Sequence, residues 1–185
     1  MTTTDLRLWT VDEYHRMIQA KILTTDDMVE LIEGQILQMS PQNPPHAATT
    51  QRTWKYLSRL LIDKADLRVQ LPITLCPTSE PEPDIAVVRF DSRDYLDSHP
   101  TADDIFLLLE VADNTLNKDC NQKARTYAKA KIADYWVLDV NRHQIYVFRK
   151  PGNTNYQQKA ILGENATLSP LAFPEIEVEV KQLFP

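Results

Sequence analysis

Asp84, Glu110 and Lys123 are the residues whose types and order suggest chemistry. Asp84 heads the apolar run Ile85-Ala-Val-Val88, and Pro81 and Pro83 limit the backbone just before it. Glu110 interrupts the most apolar run in the chain, Ile105-Phe-Leu-Leu-Leu-Glu-Val-Ala112. Burying an acid there costs roughly several kcal/mol unless it is paired or metal-bound. Lys123 follows on a segment with helical spacing and is a cation that could offset this cost. If the two apolar runs are neighbouring strands, a carboxylate from each projects at the same end of the sheet. Two carboxylates, a main-chain carbonyl and waters form a hard oxygen site of the kind that holds Mg²⁺. The plainer reading is a buried Glu110–Lys123 ion pair with Asp84 as a turn residue, since structural networks also perturb such groups. Each residue alone favours the plain reading; the ordered set of three favours the site.

The elements that must position these residues follow from local patterning. Thr10-Val-Asp-Glu13 is a capping box, and a short helix over 11–20 follows. Met28 to Ser40 alternates and breaks at Glu33-Gly34, which reads as a β-hairpin. Trp54, Leu57, Leu60 and Leu61 recur at helical spacing, predicting a long amphipathic helix over 46–64. The run 67–76 reads as a strand broken by Pro72, at an edge or with a bulge. Strands are expected at 85–90 and at 105–112, the latter buried on both faces. Residues 91–104 read as a polar loop with one helical turn, and 116–131 as a helix. Strands at 134–140, 145–150, 156–162 and 176–180 complete the order. The connection from 105–111 through the helix to 134–140 is a βαβ unit, expected to be parallel and right-handed. The fold class is therefore α/β: one domain over 1–185, a mixed central sheet flanked by helices, with an N-terminal helix and β-hairpin.

Composition narrows the function. The formal net charge of -6 argues against a general nucleic-acid coat, while leaving room for an enzyme with a locally basic groove. With only 3 glycines, none patterned, no phosphate-cradling loop is present. The 2 cysteines, Cys76 and Cys120, form no framework and point to a reducing compartment. No targeting leader or membrane-length apolar run is evident, so a cytoplasmic protein is expected.

The pattern Pro83-Asp84 followed by Glu110-Val111 resembles the signature of the PD-(D/E)XK nuclease superfamily. It is closest to a bacterial family of restriction endonuclease-like proteins long known only as a domain of unknown function. The likeness extends over most of the chain. Val29–Ile36 resembles that family's N-terminal hairpin, His46 its following helix start, and Asp134–Val140 its next strand. Asp119, Lys123 and Tyr127, each four apart, match its helix pattern. There are departures. The superfamily's usual lysine position, two after the glutamate, holds Ala112, and Lys123 matches the family's migrated lysine. Val111-Ala-Asp-Asn-Thr-Leu116 replaces the family's Val-Leu-Ser-Pro-Ser-Thr, which places an extra acid, Asp113, beside the site. Lys131-Ile-Ala133 replaces a usual Gly-Val.

The resemblance implies an endonuclease that hydrolyses DNA phosphodiester bonds with Mg²⁺, for which Mn²⁺ substitutes. Asp84 and Glu110, helped by the Val111 carbonyl, would hold the metal. Lys123 would position water or offset charge on phosphorus, with Glu30 as a further catalytic acid. Tyr127, His46, Asp113 and Asp119 would support them. Other readings stay open. Glu30 fits a solvated strand face equally well, His46 a plain helix start, and Tyr127 core packing. Lys118, Arg125, Lys129 and Lys131 suit either a phosphate-tracking stripe or a solvated helix face. His15, His99 and His143 show no metal spacing. Trp136 reads as core, and Asp139 as the cap of a turn at Asn141. The rival functions are a non-catalytic interaction module that kept the fold, and a hydrolase of another phosphoester. The apolar C-terminal segment 176–184 and the sheet edges suggest a homodimer.

Overall fold

Six strands form the sheet that carries the site, in the spatial order Asp66–Val69, Ile85–Val88, Ile105–Ala112, Asp134–Asp139, Gln144–Pro151 and Tyr156–Gly163. The computed structural model describes residues 6–75 and 77–185; the N-terminal five residues and Cys76, with the readings made on them, lie outside it. Helix α1 (Val11–Gln19) starts at the predicted capping box: Thr10 Oγ1 accepts from the Glu13 N–H at 3.2 Å, and the Thr10 N–H donates to Glu13 at 3.1 Å. Strands β1 (Val29–Ile32) and β2 (Gln35–Gln38) pair antiparallel as the expected hairpin. Its turn needs left-handed backbone at both central residues, and Glu33 (φ 47°) and Gly34 (φ 79°) supply it. A Cβ on Gly34 would lie 2.5 Å from Leu8 Cβ, so only glycine fits there.

Helix α2 (Pro44–Leu60) begins two residues earlier than its apolar pattern suggests. Asn43 caps it by accepting from the His46 N–H at 3.2 Å, and prolines occupy the first turn, where the missing N–H costs nothing. It also stops short of the expected end: the chain leaves the helix after Leu60 and enters β3 (Asp66–Val69).

β3 is an edge strand, but it ends at Val69 rather than running on through Pro72, because Gln70 adopts a left-handed φ of 52°. β3, β4 (Ile85–Val88) and β5 (Ile105–Ala112) are successive antiparallel neighbours. The chain between β4 and β5 contains turns and one 3-10 turn at Ala102–Asp104. β5 pairs parallel with β6 (Asp134–Asp139), as the βαβ pattern requires. The crossover is not one regular α-helix. A π-helical turn spans Lys118–Lys123, and α3 (Ala124–Lys129) continues from it. β7 (Gln144–Pro151) and β8 (Tyr156–Gly163) extend the sheet as antiparallel neighbours.

The expected strand at 176–180 is a correction. Only Val178–Glu179 (β10) is extended, and it pairs with β9 (Thr167–Leu168) away from the central sheet, before a 3-10 turn at Val180–Gln182. Val178, Val180, Leu183 and Phe184 are buried in the chain's own core, so this segment offers no free apolar surface for a second copy.

Strand alternation divides the core between the two faces of the sheet. Ile85, Val87, Leu107, Leu109, Trp136 and Leu138 pack with Leu57 of α2, with Leu61 just past its end and with the C-terminal segment. Ala86, Val88, Leu108, Tyr135 and Val137 pack beneath Ala124 and Tyr127 of the crossover. Asp139 Oδ1 accepts from the N–H groups of Asn141 and Arg142, both at 3.1 Å, so it caps the turn before β7 as expected. Among the described residues no helix is long and apolar enough to cross a membrane.

Candidate active site

The antiparallel register pairs Ile85 with Leu109, and one step further sets Asp84 opposite Glu110. Side chains directly opposite on adjacent strands share a face. Asp84 and Glu110 therefore project together, at the end of the face covered by the crossover helix. Both line a cavity of about 480 Å³ together with Glu30, His46, Asp113, Asp119 and Lys123. Tyr127 lies beneath its floor, fully buried.

Pro83 gains a role from the same register. It would face Val111, and an antiparallel ladder there would have residue 83 donate its N–H to the Val111 carbonyl. Proline has no N–H to give, so that carbonyl keeps its lone pairs. The Val111 N–H turns instead to Asp84 Oδ2, at 2.8 Å.

Asp84 is only 8% exposed. His46 Nε2 lies 3.2 Å from Oδ2, and Gln70 Nε2 donates to Oδ1 at 3.3 Å. Burial alone would raise its pKa; the His46 hydrogen bond and charge, with the Val111 N–H, hold it below the usual value. Reciprocally, burial would pull the His46 imidazole down, and Asp84 more than reverses that. His46 Nδ1 is buried and has no partner among the described residues.

Glu110 Oε1 accepts from both Lys123 Nζ, at 2.9 Å, and the Tyr127 hydroxyl, at 2.7 Å. Its Oε2 takes no hydrogen bond among the described residues. Burial pushes the Glu110 carboxyl up to about 8 against the pull of Lys123, with the nearby Asp84 charge adding to the rise. Burial works against the Lys123 ammonium, but Glu110, Glu30 and Asp119 hold its pKa above the ordinary lysine value.

The π turn accounts for this reach. The Ala124 N–H extends back to the Asp119 carbonyl, five residues away, which widens the helix locally and aims both Asp119 and Lys123 inward. Such turns recur at functional sites. Asp119 is buried; burial raises its carboxyl pKa, while Thr115 Oγ1 donates to it at 2.5 Å.

Glu30 is not on a solvated face. It is 1% exposed and lies 3.0 Å from Lys118 and 3.4 Å from Lys123, while the Glu82 N–H donates to it at 3.3 Å. Burial would raise its pKa, and the two lysines depress it. The extra acid Asp113 accepts from Asn43 and Asn141. It thereby ties the start of α2, which carries His46, to the loop after β5. Of the basic residues on this segment, Lys118 pairs with Glu30, Lys129 with Glu33 at 2.8 Å, and Lys131 with the Gly152 carbonyl and Asn153, while Arg125 is exposed.

Sequence reasoning missed Asn43, Gln70 and Glu82. Gln70 was reachable in principle, because the Val69–Ile85 pairing places it beside Asp84, but that requires knowing that β3 and β4 are neighbours.

The oxygen donors suit a hard divalent cation. Six carboxylates line the cavity (Glu30, Glu82, Asp84, Glu110, Asp113, Asp119) against two lysines (Lys118, Lys123), leaving a surplus of negative charge. Among the described residues no donor pairs with the Val111 carbonyl on the β4 side. Among the described residues no three His, Cys, Asp or Glu side chains gather closely enough to cage a metal unaided. A cation that keeps several waters and binds through one or two carboxylates needs no such cage.

A mixed sheet with a carboxylate pair at the end of two neighbouring strands and a lysine arriving from the crossover helix defines a restriction endonuclease-like protein. The chain belongs to the Uma2 family, described as "Putative restriction endonuclease", whose match covers residues 11–181. Its fold is similar to the crystal structure of "a putative nuclease belonging to DUF820" from Anabaena variabilis ATCC 29413, with a TM-score of 0.68 and 20% identity over 95% of this chain and 97% of that one. No curated protein matches.

Proposed function

We propose that this protein is a metal-dependent endonuclease that hydrolyses DNA phosphodiester bonds at the floor of the cavity. The observation that carries the reading is Asp84 opposite Glu110, beside an unpaired Val111 carbonyl, with Lys123 bonded to one oxygen of Glu110. The family's description and that of the Anabaena variabilis protein as nucleases support the same class. Asp84, Glu110 and the Val111 carbonyl would hold Mg²⁺, with Mn²⁺ as a substitute. Bound there, the metal supplies Lewis acidity to the phosphoryl oxygen and a water of lowered pKa.

The chain's own groups do the rest. His46 and Gln70 fix the Asp84 carboxylate from two sides. Tyr127 holds Glu110 Oε1, which leaves Oε2 toward the cavity. Lys123, always protonated here, stabilises negative charge that develops on the phosphoryl group. Glu30 and Lys118 keep that ammonium in place. The homodimer belongs to the proposal on one ground only: β8 is an edge strand with most of its residues exposed. A second copy would bring a second site for the other strand of a duplex.

A non-catalytic module is the second reading. It is favoured by the fact that Lys123, Glu30 and Glu110 already satisfy one another without a metal. Plasmid nicking with Mg²⁺ or Mn²⁺ separates the two. We expect nicking by the wild type and its loss in Asp84→Ala and Glu110→Ala. Equal activity in all three proteins would remove the site assignment, and no wild-type activity would favour the module.

A further inference from the structure

Two methionines, Met28 and Met39, line the cavity, and the proposed chemistry uses neither. They lie just past the hairpin's last pair, Val29–Gln38, where Met28 takes a left-handed φ of 49° and its carbonyl accepts from the Met39 N–H at 2.8 Å. Met28 is 52% exposed, an apolar side chain in water above a floor of carboxylates.

The floor is deep: Asp84, Glu110 and Lys123 are 8%, 3% and 6% exposed. A phosphate must therefore enter the cavity. Its volume of about 480 Å³ suits one small ligand, since such pockets run to about 300–1,000 Å³. Duplex binding also calls for rows of cations along the phosphate backbones. Here the cavity's lysines are bonded to Glu30 and Glu110, and Lys129 on the same helix is bonded to Glu33.

We propose that the cavity admits one nucleotide of an unpaired strand, with its phosphate at the floor and its base resting on the Met28–Met39 pair. The inference rests on the phosphodiesterase reading and names its substrate class. A thioether pair is polarizable and adaptable, and every base has a face to lay against it, so the platform accepts any base. Pulling a nucleotide out of a duplex costs its pairing and stacking, and costs least where it is already single-stranded or mismatched. Single strands, flaps and mismatches are therefore preferred over perfect duplex.

The test is fluorescence anisotropy in millimolar Ca²⁺ with a short labelled single strand and a blunt duplex of the same sequence. We expect the single strand to bind at least about tenfold more tightly, a difference of about 1.4 kcal/mol. The double variant Met28→Ala/Met39→Ala should lose that preference, and Met28→Leu/Met39→Leu should keep most of it. Duplex bound as tightly as single strand, no saturable binding of single strand, or a double-alanine variant that binds like wild type would each overturn the inference. Tight single-strand binding without cleavage in Mg²⁺ or Mn²⁺ would uphold it and count against the nuclease reading instead.

Discussion

Asp84 and Glu110 stand opposite each other across β4 and β5, at the step where the ladder between those strands gives out. The pair that follows would be Pro83 and Val111, and the proline ends the ladder by withholding a donor. The same substitution of chemistry for pairing turns the Val111 N–H onto the Asp84 carboxylate. Strand pairing, the placement of the two carboxyl groups and the freed carbonyl are thus one arrangement.

Replacing Pro83 by alanine restores an N–H opposite the Val111 carbonyl. We expect Mn²⁺ affinity to fall by about 10-fold, the scale of changes just beyond a metal's own ligands. Fold stability should change by less than about 1 kcal/mol. Calorimetric titration and urea melts read the two effects separately; unchanged affinity would mean that the carbonyl plays no part.

Lys123→Ala leaves Glu110 and Glu30 buried without their shared cation. Breaking a buried pair costs about 3–5 kcal/mol. The loss should grow with pH. With Lys123 present the Glu110 carboxyl ionises near 8; without the lysine's pull it stays protonated to higher pH, so the two proteins differ least where both hold Glu110 protonated and the deficit grows as pH rises through that value. Urea denaturation at pH 5 and pH 8 checks this, with the larger deficit expected at pH 8.

Tyr127→Phe removes one hydrogen bond to Glu110 Oε1 and keeps the ring packed against Tyr135, whose centroid lies 4.8 Å away. The expected cost is about 1 kcal/mol in stability. If Glu110 holds the metal as proposed, cleavage should fall through kcat with KM unchanged, because Tyr127 bonds to Glu110 and lies outside the cavity lining.

Much of this was legible in the chain, for identifiable reasons. The capping box at Thr10, the hairpin turn at Glu33-Gly34 and the buried β5 run are local signals, each carried by a few adjacent residues. The pairing of Asp84 with Glu110 was reachable because both mark the ends of apolar runs. What escaped was set by tertiary contacts. The π turn at 118–123 has no sequence signature, since it is imposed by burying Asp119 and Lys123 together. Glu30 looks solvent-facing by alternation, yet the hairpin is packed against the helix and its outward face becomes cavity wall. The strand expected at 176–180 has good alternation, but its valines are used in the core of the α2 face, and only Val178–Glu179 pairs, outside the central sheet.

The hairpin's clamp to the helix gives a pH signature. Burial would raise the Glu33 pKa, but the hydrogen bonds from Lys129 and Thr126 hold it below the ordinary 4.5. A depressed folded pKa means the contribution is complete above 4.5 and is lost as pH falls through the lower folded value. Glu33→Gln should therefore flatten the acid limb of a thermal-melt series and leave the neutral plateau little lowered, because this pair is half-exposed and screened. An unchanged acid limb would show that the clamp does not form.

The central claim, that Asp84 and Glu110 share a divalent cation, is tested most directly by calorimetric titration of Mn²⁺ into the wild type, Asp84→Asn and Glu110→Gln. The amide variants keep side-chain shape while removing the ligand charge. The account predicts one saturable site per chain in the wild type, weakened at least about 10-fold in each variant. Equal Mn²⁺ affinity in all three proteins, or no wild-type binding up to millimolar metal, would contradict it.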